Sequence, residues 1–242
     1  MSGNGRPRTL AVIPARGGSK GVPRKNVRPV LGRPLLAYTA DMALASRHLL
    51  HDVLLSTDDE EIAEVGRSLG LSVPFLRPSE LAGDAVPMVP VFQHAVFFVE
   101  RRDGVRMDWV LLLQPTEPFR TVGDVEAALD LAERGGCDSV ISVVRVFAVH
   151  PVLMKRIDGD RLLPYCVEER EGTRRQDYDP PAYMRNGAVY LTRRDVLMER
   201  ASIWGDVIRP YVMLPERSLS VDEERDLKVI EAIMLDRQGS QA

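Results

Sequence analysis

Short apolar runs alternate with stretches of helical period along residues 9–144, and this alternation constrains the chain more than any other feature. Thr9-Leu-Ala-Val-Ile13 reads as a buried strand closed by Pro14. Leu35 to Ser46 reads as a helix with Pro34 at its entry, and Val53-Leu-Leu55 as a second strand. Thr57 or Asp58 is then the expected cap of a helix reaching Leu69. Glu60 and Glu61 lie in its first turn, where the helix dipole favours acids. Leu71 to Phe75 is a short extended piece, Val89 to Arg101 a helix, and Trp109 to Leu113 a strong strand. Val122 to Arg134 is a helix behind a Thr121 cap, and Ser139 to Val144 a further strand. This order predicts an α/β fold with a mainly parallel sheet. Ligands of such sheets lie beyond the carboxyl ends of the strands. The polar loops Pro14 to Asn26, Ser56 to Glu60 and Gln114 to Arg120 are therefore expected to converge on one site.

Residues 145–182 break the alternation. They hold Pro151, Pro164, Pro180 and Pro181, many charges and little periodicity, and read as an irregular insertion with a hairpin at Asp158-Gly159-Asp160. Excursions of this length are usually functional or interfacial. Ala188 to Thr192 and Val207 to Leu214 resume as strands. Glu223 to Arg237 closes the fold as a helix with Leu227, Ile230 and Met234 on one face. The 242 residues fit a single domain, 1–242. An apolar content of 45% excludes wholesale disorder. No apolar run approaches the ~18 residues that a membrane span needs. Met1-Ser-Gly-Asn-Gly lacks the apolar core of a signal peptide, and Cys137 and Cys166 form neither a disulfide framework nor a zinc site. A reducing cytoplasm is the expected setting. His48, His51, His94 and His150 show no ligand spacing.

The net charge of −3 conceals an uneven distribution. Residues 1–40 carry eight Lys and Arg (Arg6, Arg8, Arg16, Lys20, Arg24, Lys25, Arg28 and Arg33) and no acid, a local charge of +8. The rest carries 24 Lys and Arg against all 35 acids, or −11. Nucleic acid is a poor partner for this pole, because aromatic content is 6% and no aromatics interleave with the cations for base stacking. A small polyanion such as a nucleotide fits as well.

The densest motif is Ile13-Pro-Ala-Arg-Gly-Gly-Ser-Lys-Gly-Val-Pro-Arg-Lys-Asn26. It follows a strand and packs three glycines, a serine and four cations into one loop. Glycines let backbone N–H groups approach phosphate oxygens, and cations neutralise them. The run is neither a Walker A loop nor the dinucleotide fingerprint. A solvated basic loop is the plain alternative.

This stretch resembles the signature loop of the acylneuraminate cytidylyltransferases, the CMP-sialic acid synthetase family, which carry Ala-Arg-x-x-Ser-Lys-Gly-x-Pro-x-Lys-Asn. Further segments match in order: Ser56-Thr57-Asp58, Leu76-Arg-Pro-Ser-Glu-Leu-Ala-Gly-Asp84, and Leu112-Leu-Gln-Pro-Thr-Glu-Pro-Phe-Arg120 against Leu-Leu-Gln-Pro-Thr-Ser-Pro-Leu-Arg. His150-Pro151, Arg174-Arg-Gln176 and Asn186-Gly-Ala-Val-Tyr190 follow. The resemblance implies a three-layer Rossmann-like nucleotidyltransferase fold with a small dimerisation insertion. It implies transfer of CMP from CTP to a nine-carbon 2-keto acid sugar, with magnesium, in a homodimer. Arg16 and Lys20 would face the triphosphate, beside Ala15, Gly17, Gly18 and Ser19. Lys25 and Asn26 would hold phosphate or ribose, and Arg77 and Asp84 the nucleotide. Gln114, Thr116, Arg175, Gln176, Tyr183, Asn186 and Gly187 would face the sugar, with the 145–182 arm contributed by the neighbouring subunit. Asp222 would hold magnesium and, with Arg16 and Lys20, form the catalytic set.

Three positions depart from the family pattern. The family places Asp-x-Asp before its last helix, and here Ser220 stands at the first position and Asp222 at the second. A hydroxyl is a weaker magnesium ligand than a carboxylate. Asp222 is also placed to N-cap that helix. Met88 stands where a small hydroxyl residue is common, and Met184 where an arginine is common. These changes point to a legionaminic- or pseudaminic-type sugar, or to another nucleotide. A non-enzymatic nucleotide-binding subunit is the rival from another class.

Overall fold

The computed structural model describes residues 6–83 and 85–239 and resolves the alternation into a six-stranded sheet. In chain order the elements are β1 (Thr9–Pro14), β2 (Pro29–Val30), β3 (Arg33–Pro34), α1 (Leu35–Ala45), β4 (Asp52–Ser56), α2 (Glu60–Ser68), α3 (Met88–Asp103) and β5 (Trp109–Leu112). There follow α4 (Val122–Glu133), β6 (Ser139–Val146), β7 (Lys155–Asp158), β8 (Arg161–Pro164), β9 (Ala182–Arg193), α5 (Arg194–Glu199), β10 (Ile208–Met213) and α6 (Glu224–Gly239).

The sheet order is β10-β6-β9-β5-β1-β4. β1 runs parallel to β4 and β5, β10 runs parallel to β6, and β9 lies antiparallel between β5 and β6. Alternate residues of β1 serve opposite faces, as a period of two requires. Ala11 and Ile13 pack with residues of α1, α2 and α4, while Leu10 and Val12 pack with residues of α3 and α5. The result is helix, sheet and helix in three layers, with a fully buried β1 between β5 and β4.

A third apolar cluster lies at one end. Leu227, Ile230 and Met234 of α6 meet Val22, Val30, Leu35, Phe119 and Val221. These are the three α6 residues that the helical period singles out. Their packing ties the first loop, the loop after β5 and the segment before α6 into one unit.

Several local expectations are corrected. The cap of α2 is Asp59, whose Oδ1 accepts from the Ile62 N–H at 3.0 Å, rather than Thr57 or Asp58. Residues 145–182 are less irregular than their composition suggests. β6 extends to Val146 and β9 begins at Ala182, so the two strands pair through Arg145↔Tyr183 and Val146↔Ala182. The β7–β8 hairpin turns at Gly159, as the Asp-Gly-Asp signal indicates. α5 and the β2–β3 hairpin carry no clear signal in the sequence.

β9 also carries an irregularity opposite β6. Ile141 pairs with Tyr190 and Val143 with Arg185, so four residues, Asn186 to Val189, oppose the single Ser142. This bulge sits near the carboxyl end of β5, and Gly187 at φ 77° makes it possible.

Candidate active site

The carboxyl ends of β1, β4 and β5 lie side by side, and their loops converge as expected. A cleft of about 440 Å³ opens there, lined by the first loop (Arg16, Ser19, Lys20, Lys25 and Asn26), by Arg77 and Met88, and by Gln114, Thr116 and Asp222. A larger depression of about 640 Å³ lies at the opposite end of β1 and β5, around Arg6, Arg8 and Arg193. Its volume is no guide to function, since the strand-end rule and the motifs of the first loop and of the loop after β5 point to the smaller cleft.

Ser56, the last residue of β4, organises the cleft wall. Its carbonyl accepts from the Ala15 N–H at 3.0 Å and from Arg77 Nη2 at 2.5 Å, and its hydroxyl accepts from Arg77 Nε at 3.1 Å. The buried Arg77 is thus held at the cleft by β4. Burial pushes its pKa below the usual guanidinium range, Asp58 opposes that shift, and Arg16 adds to it. Asp58 Oδ1 also accepts from the Gly17 N–H at 3.2 Å. Gly17 has no room for a side chain, because a Cβ would fall 2.6 Å from Asp59 Oδ2. Gly21 is tighter still, as a Cβ there would lie 2.3 Å from the Asp222 carbonyl oxygen. The sequence marks Gly21 only as one glycine among several, yet it lets the first loop press against the segment before α6.

Lys25 bridges the same two segments. Its Nζ donates to the Val221 carbonyl at 2.8 Å and lies 3.8 Å from Asp222 Oδ1. Asn26 is buried and donates from Nδ2 to the Arg16 carbonyl at 3.0 Å, so it shapes the loop as well as lining the cleft. The Asp222 carboxylate is exposed and does not cap α6. Asp226 Oδ2 takes that part by accepting from the N–H groups of Asp222 at 2.9 Å and Glu223 at 2.7 Å.

The loop after β5 rests on a buried polar pair that sequence reasoning missed. Arg120 donates to the carbonyls of Ala188 and Gln114 and to Thr39 Oγ1, and burial pushes its pKa down to about 10. Glu117 is 2% exposed, and burial pushes its pKa up to about 7, with the neighbouring Ser220 hydroxyl, Arg120 and Asp222 modifying the shift. Glu117 Oε2 and Arg120 Nε are both buried without a hydrogen-bond partner. Gly187 belongs to the same group, since a Cβ there would fall 2.9 Å from both Gln114 Oε1 and Glu117 Oε1.

The remaining expected residues divide. Asn186 is buried with its amide engaged, accepting from the Ser142 hydroxyl at 2.6 Å and donating to Ser218 Oγ at 2.9 Å. It holds the β9 bulge against the segment before α6. Arg175 and Gln176 lie exposed in a one-turn helix of the excursion, and Tyr183 is half exposed on β9; none of the three lines the cleft. Asp84 lies outside the described residues. No group of three or more His, Cys, Asp or Glu is arranged to hold a metal among the described residues.

Comparison with known proteins gives concordant results. The family model described as Cytidylyltransferase matches residues 10–145. A CMP-N,N'-diacetyllegionaminic acid synthase of Legionella pneumophila is 34% identical over 230 residues, spanning 94% of this chain and 96% of that protein. A pseudaminic acid cytidylyltransferase of Campylobacter jejuni is 40% identical over 221 residues, spanning 91% and 94%. A solved CMP:2-keto-3-deoxy-manno-octonic acid synthetase complexed with CTP shares the fold, with a TM-score of 0.71 over 95% of this chain and 99% of that one at 19% identity.

Proposed function

This chain belongs to the cytidylyltransferase family, and from that premise we propose that it transfers CMP from CTP to a nonulosonic acid, releasing pyrophosphate. The observation that carries the proposal is the cleft at the ends of β1, β4 and β5, where Arg16, Lys20, Lys25 and Arg77 gather around a glycine-rich loop. Its charge suits a triphosphate. The relatives favour a legionaminic- or pseudaminic-type sugar over a sialic acid, and Met88 on the cleft lining and the exposed Met184 agree with a changed pocket.

In this reading the anomeric oxygen of the sugar attacks the α-phosphorus of CTP in line. The new P–O bond forms as the bond to the β-phosphate oxygen breaks, the proton of the anomeric hydroxyl passes to solvent, and pyrophosphate departs. Such chemistry depends on positioning and charge neutralisation. Arg16 and Lys20, with the Ser19 hydroxyl beside them on the cleft lining, hold the leaving phosphates. Lys25 fixes the loop while contributing charge, and the fixed, buried Arg77 meets the nucleotide. Gln114 and Thr116 face the sugar across the Gly187 bulge.

Magnesium fits the donor set. Asp222, on the cleft lining, offers an exposed carboxylate that no cap occupies. Magnesium is commonly held by one or two carboxylates together with substrate phosphates. When bound it would neutralise charge on the departing pyrophosphate.

A homodimer completes the site. Ile157 (79% exposed), Leu162 (68%) and Tyr165 (66%) leave the β7–β8 arm with an apolar surface suited to a second copy. Arg175, Gln176 and Tyr183 would then reach the cleft of the neighbouring subunit. No described helix is long and apolar enough to cross a membrane, and a cytoplasmic setting accords with the nucleotide substrate.

Pyrophosphate release should be measured with CTP, GTP, ATP and UTP against sialic, legionaminic and pseudaminic acids. Release with CTP and one of these acids, and not with CTP alone, is expected. Tight CTP binding without release under any sugar would favour the binding-subunit reading. Release with another nucleotide would overturn the assignment of CTP.

A further inference from the structure

Resting on the triphosphate reading of the first loop, we infer that Arg24 is a positioning residue, whose side chain latches that loop to the start of α2 and so sets the place of Ser19 and Lys20. Of the four cations in the loop, Arg16, Lys20 and Lys25 line the cleft and Arg24 does not. Its guanidinium turns toward α2 instead. Nη1 donates to Asp59 Oδ2 at 2.5 Å and Nη2 to Asp59 Oδ1 at 3.1 Å, and Nη2 also donates to Glu61. A planar guanidinium that meets both oxygens of one carboxylate fixes direction as well as distance.

The acceptor is itself held in place. Asp59 Oδ1 also accepts from the Ile62 N–H at 3.0 Å, as the cap of α2. The same short segment grips the loop a second time. Asp58 Oδ1 accepts from the Gly17 N–H at 3.2 Å, and Gly17 lies so close to Asp59 that a Cβ there would not fit. The loop is thus tied at Gly17 on its outgoing limb and at Arg24 on its return. Ser19 and Lys20 lie on the span between these ties, residues 18–23. Fixing both ends of so short a span lowers the ordering cost of ligand binding.

The backbone supports the same part for Arg24. It stands at φ 56° and ψ 29°, a left-handed conformation that a residue with a Cβ takes only where its surroundings hold it. Its carbonyl accepts from the N–H groups of Val27 at 3.0 Å and Arg28 at 3.1 Å. This turn sends the Arg24 side chain to α2 and returns Lys25 and Asn26 to the cleft.

CTP is titrated calorimetrically, with magnesium, into the full-length protein and its variants, and each variant is melted. Arg24→Gly suits the left-handed backbone and removes only the side chain. It is expected to weaken CTP binding about fivefold, the upper end for a pair this exposed. Asp59→Asn keeps a residue able to cap α2 and removes the charge, and is expected to weaken binding to a similar degree. The double variant is expected to bind no more weakly than either single one, because both break the same contact. A purely structural role would lower the melting midpoints and leave the CTP affinity of the folded protein unchanged. Wild-type affinity in Arg24→Gly overturns the inference, as do additive losses in the double variant. Lys20→Ala separates this from the reading beneath it. If the wild-type protein binds no CTP, or Lys20→Ala binds it equally well, the triphosphate reading of the loop fails. If Lys20→Ala weakens binding and Arg24→Gly does not, only the latch falls.

Discussion

Asp222 and Asp226 are four residues apart and do separable jobs. Asp226 accepts the N–H groups of Asp222 and Glu223, just ahead of α6, which leaves the Asp222 carboxylate beside Lys25 at the cleft. Asp222→Ala is therefore expected to abolish magnesium-dependent turnover with a urea midpoint close to wild type. Asp226→Ala is expected to lose about 1 kcal/mol of stability, the usual cost of a missing cap. Urea melts and initial rates on the two variants check this, and an active but destabilised Asp222→Ala would reverse the assignment. The sequence singles out Asp222, which lines the cleft, and also offers it as the cap, a part that falls to Asp226. Residue type alone cannot choose among adjacent acids, because several satisfy the same preference. The start of α2 repeats the point. Asp59 caps, while its neighbour Asp58 turns to the Gly17 N–H, a partner 41 residues away. Glu117 escapes sequence reasoning for a similar reason, since its burial and its nearness to Ser220 arise only when two distant segments meet.

At the level of elements, the parallel half of the sheet is legible because β1, β4 and β5 are short apolar runs with helices between them. β9 is less so. Its Asn186-Gly187 pair reads as a turn by composition, and the fold uses it as a bulge within a strand of twelve residues. The segment joining α5 to β10 depends on Asp138, whose Oδ2 accepts from the Asp206 N–H at 2.8 Å and the Val207 N–H at 3.3 Å. The Asp206 bond, the Arg200 side chain and the Val207 bond hold the Asp138 carboxyl at about 2, below its ordinary value. A depressed carboxylate pKa stabilises the fold at pH values above the unfolded pKa near 4, and that contribution is lost as pH falls toward 2. Asp138→Asn should therefore melt below wild type at pH 6, with the gap closing as pH falls through this window. Melting curves from pH 6 to pH 2 check it, and a gap that does not change with pH would contradict it.

For the molecule as a whole, the +8 of the first forty residues does not form an open basic face. Arg24 pairs with Asp59 and Glu61, Arg28 with Glu224, and Arg33 with Asp41, while Arg6 lies among Glu126, Asp130 and Glu133. Arg16, Lys20 and Lys25 line the cleft, so the polyanion site is compact, as a small ligand requires. The arm is the other feature of this scale. If the proposed homodimer forms through the arm, Ile157→Glu with Leu162→Glu should turn it into a monomer in sedimentation velocity, and an unchanged mass would remove the arm from the interface. The central claim is a chemical one, that CTP and a nonulosonic acid become a CMP-sugar. Following the reaction by ³¹P NMR tests it most directly. A new phosphodiester resonance growing in equal amount with pyrophosphate is the expected result. Hydrolysis of CTP to CMP without that resonance, or no change in CTP with every nonulosonic acid supplied, would contradict it.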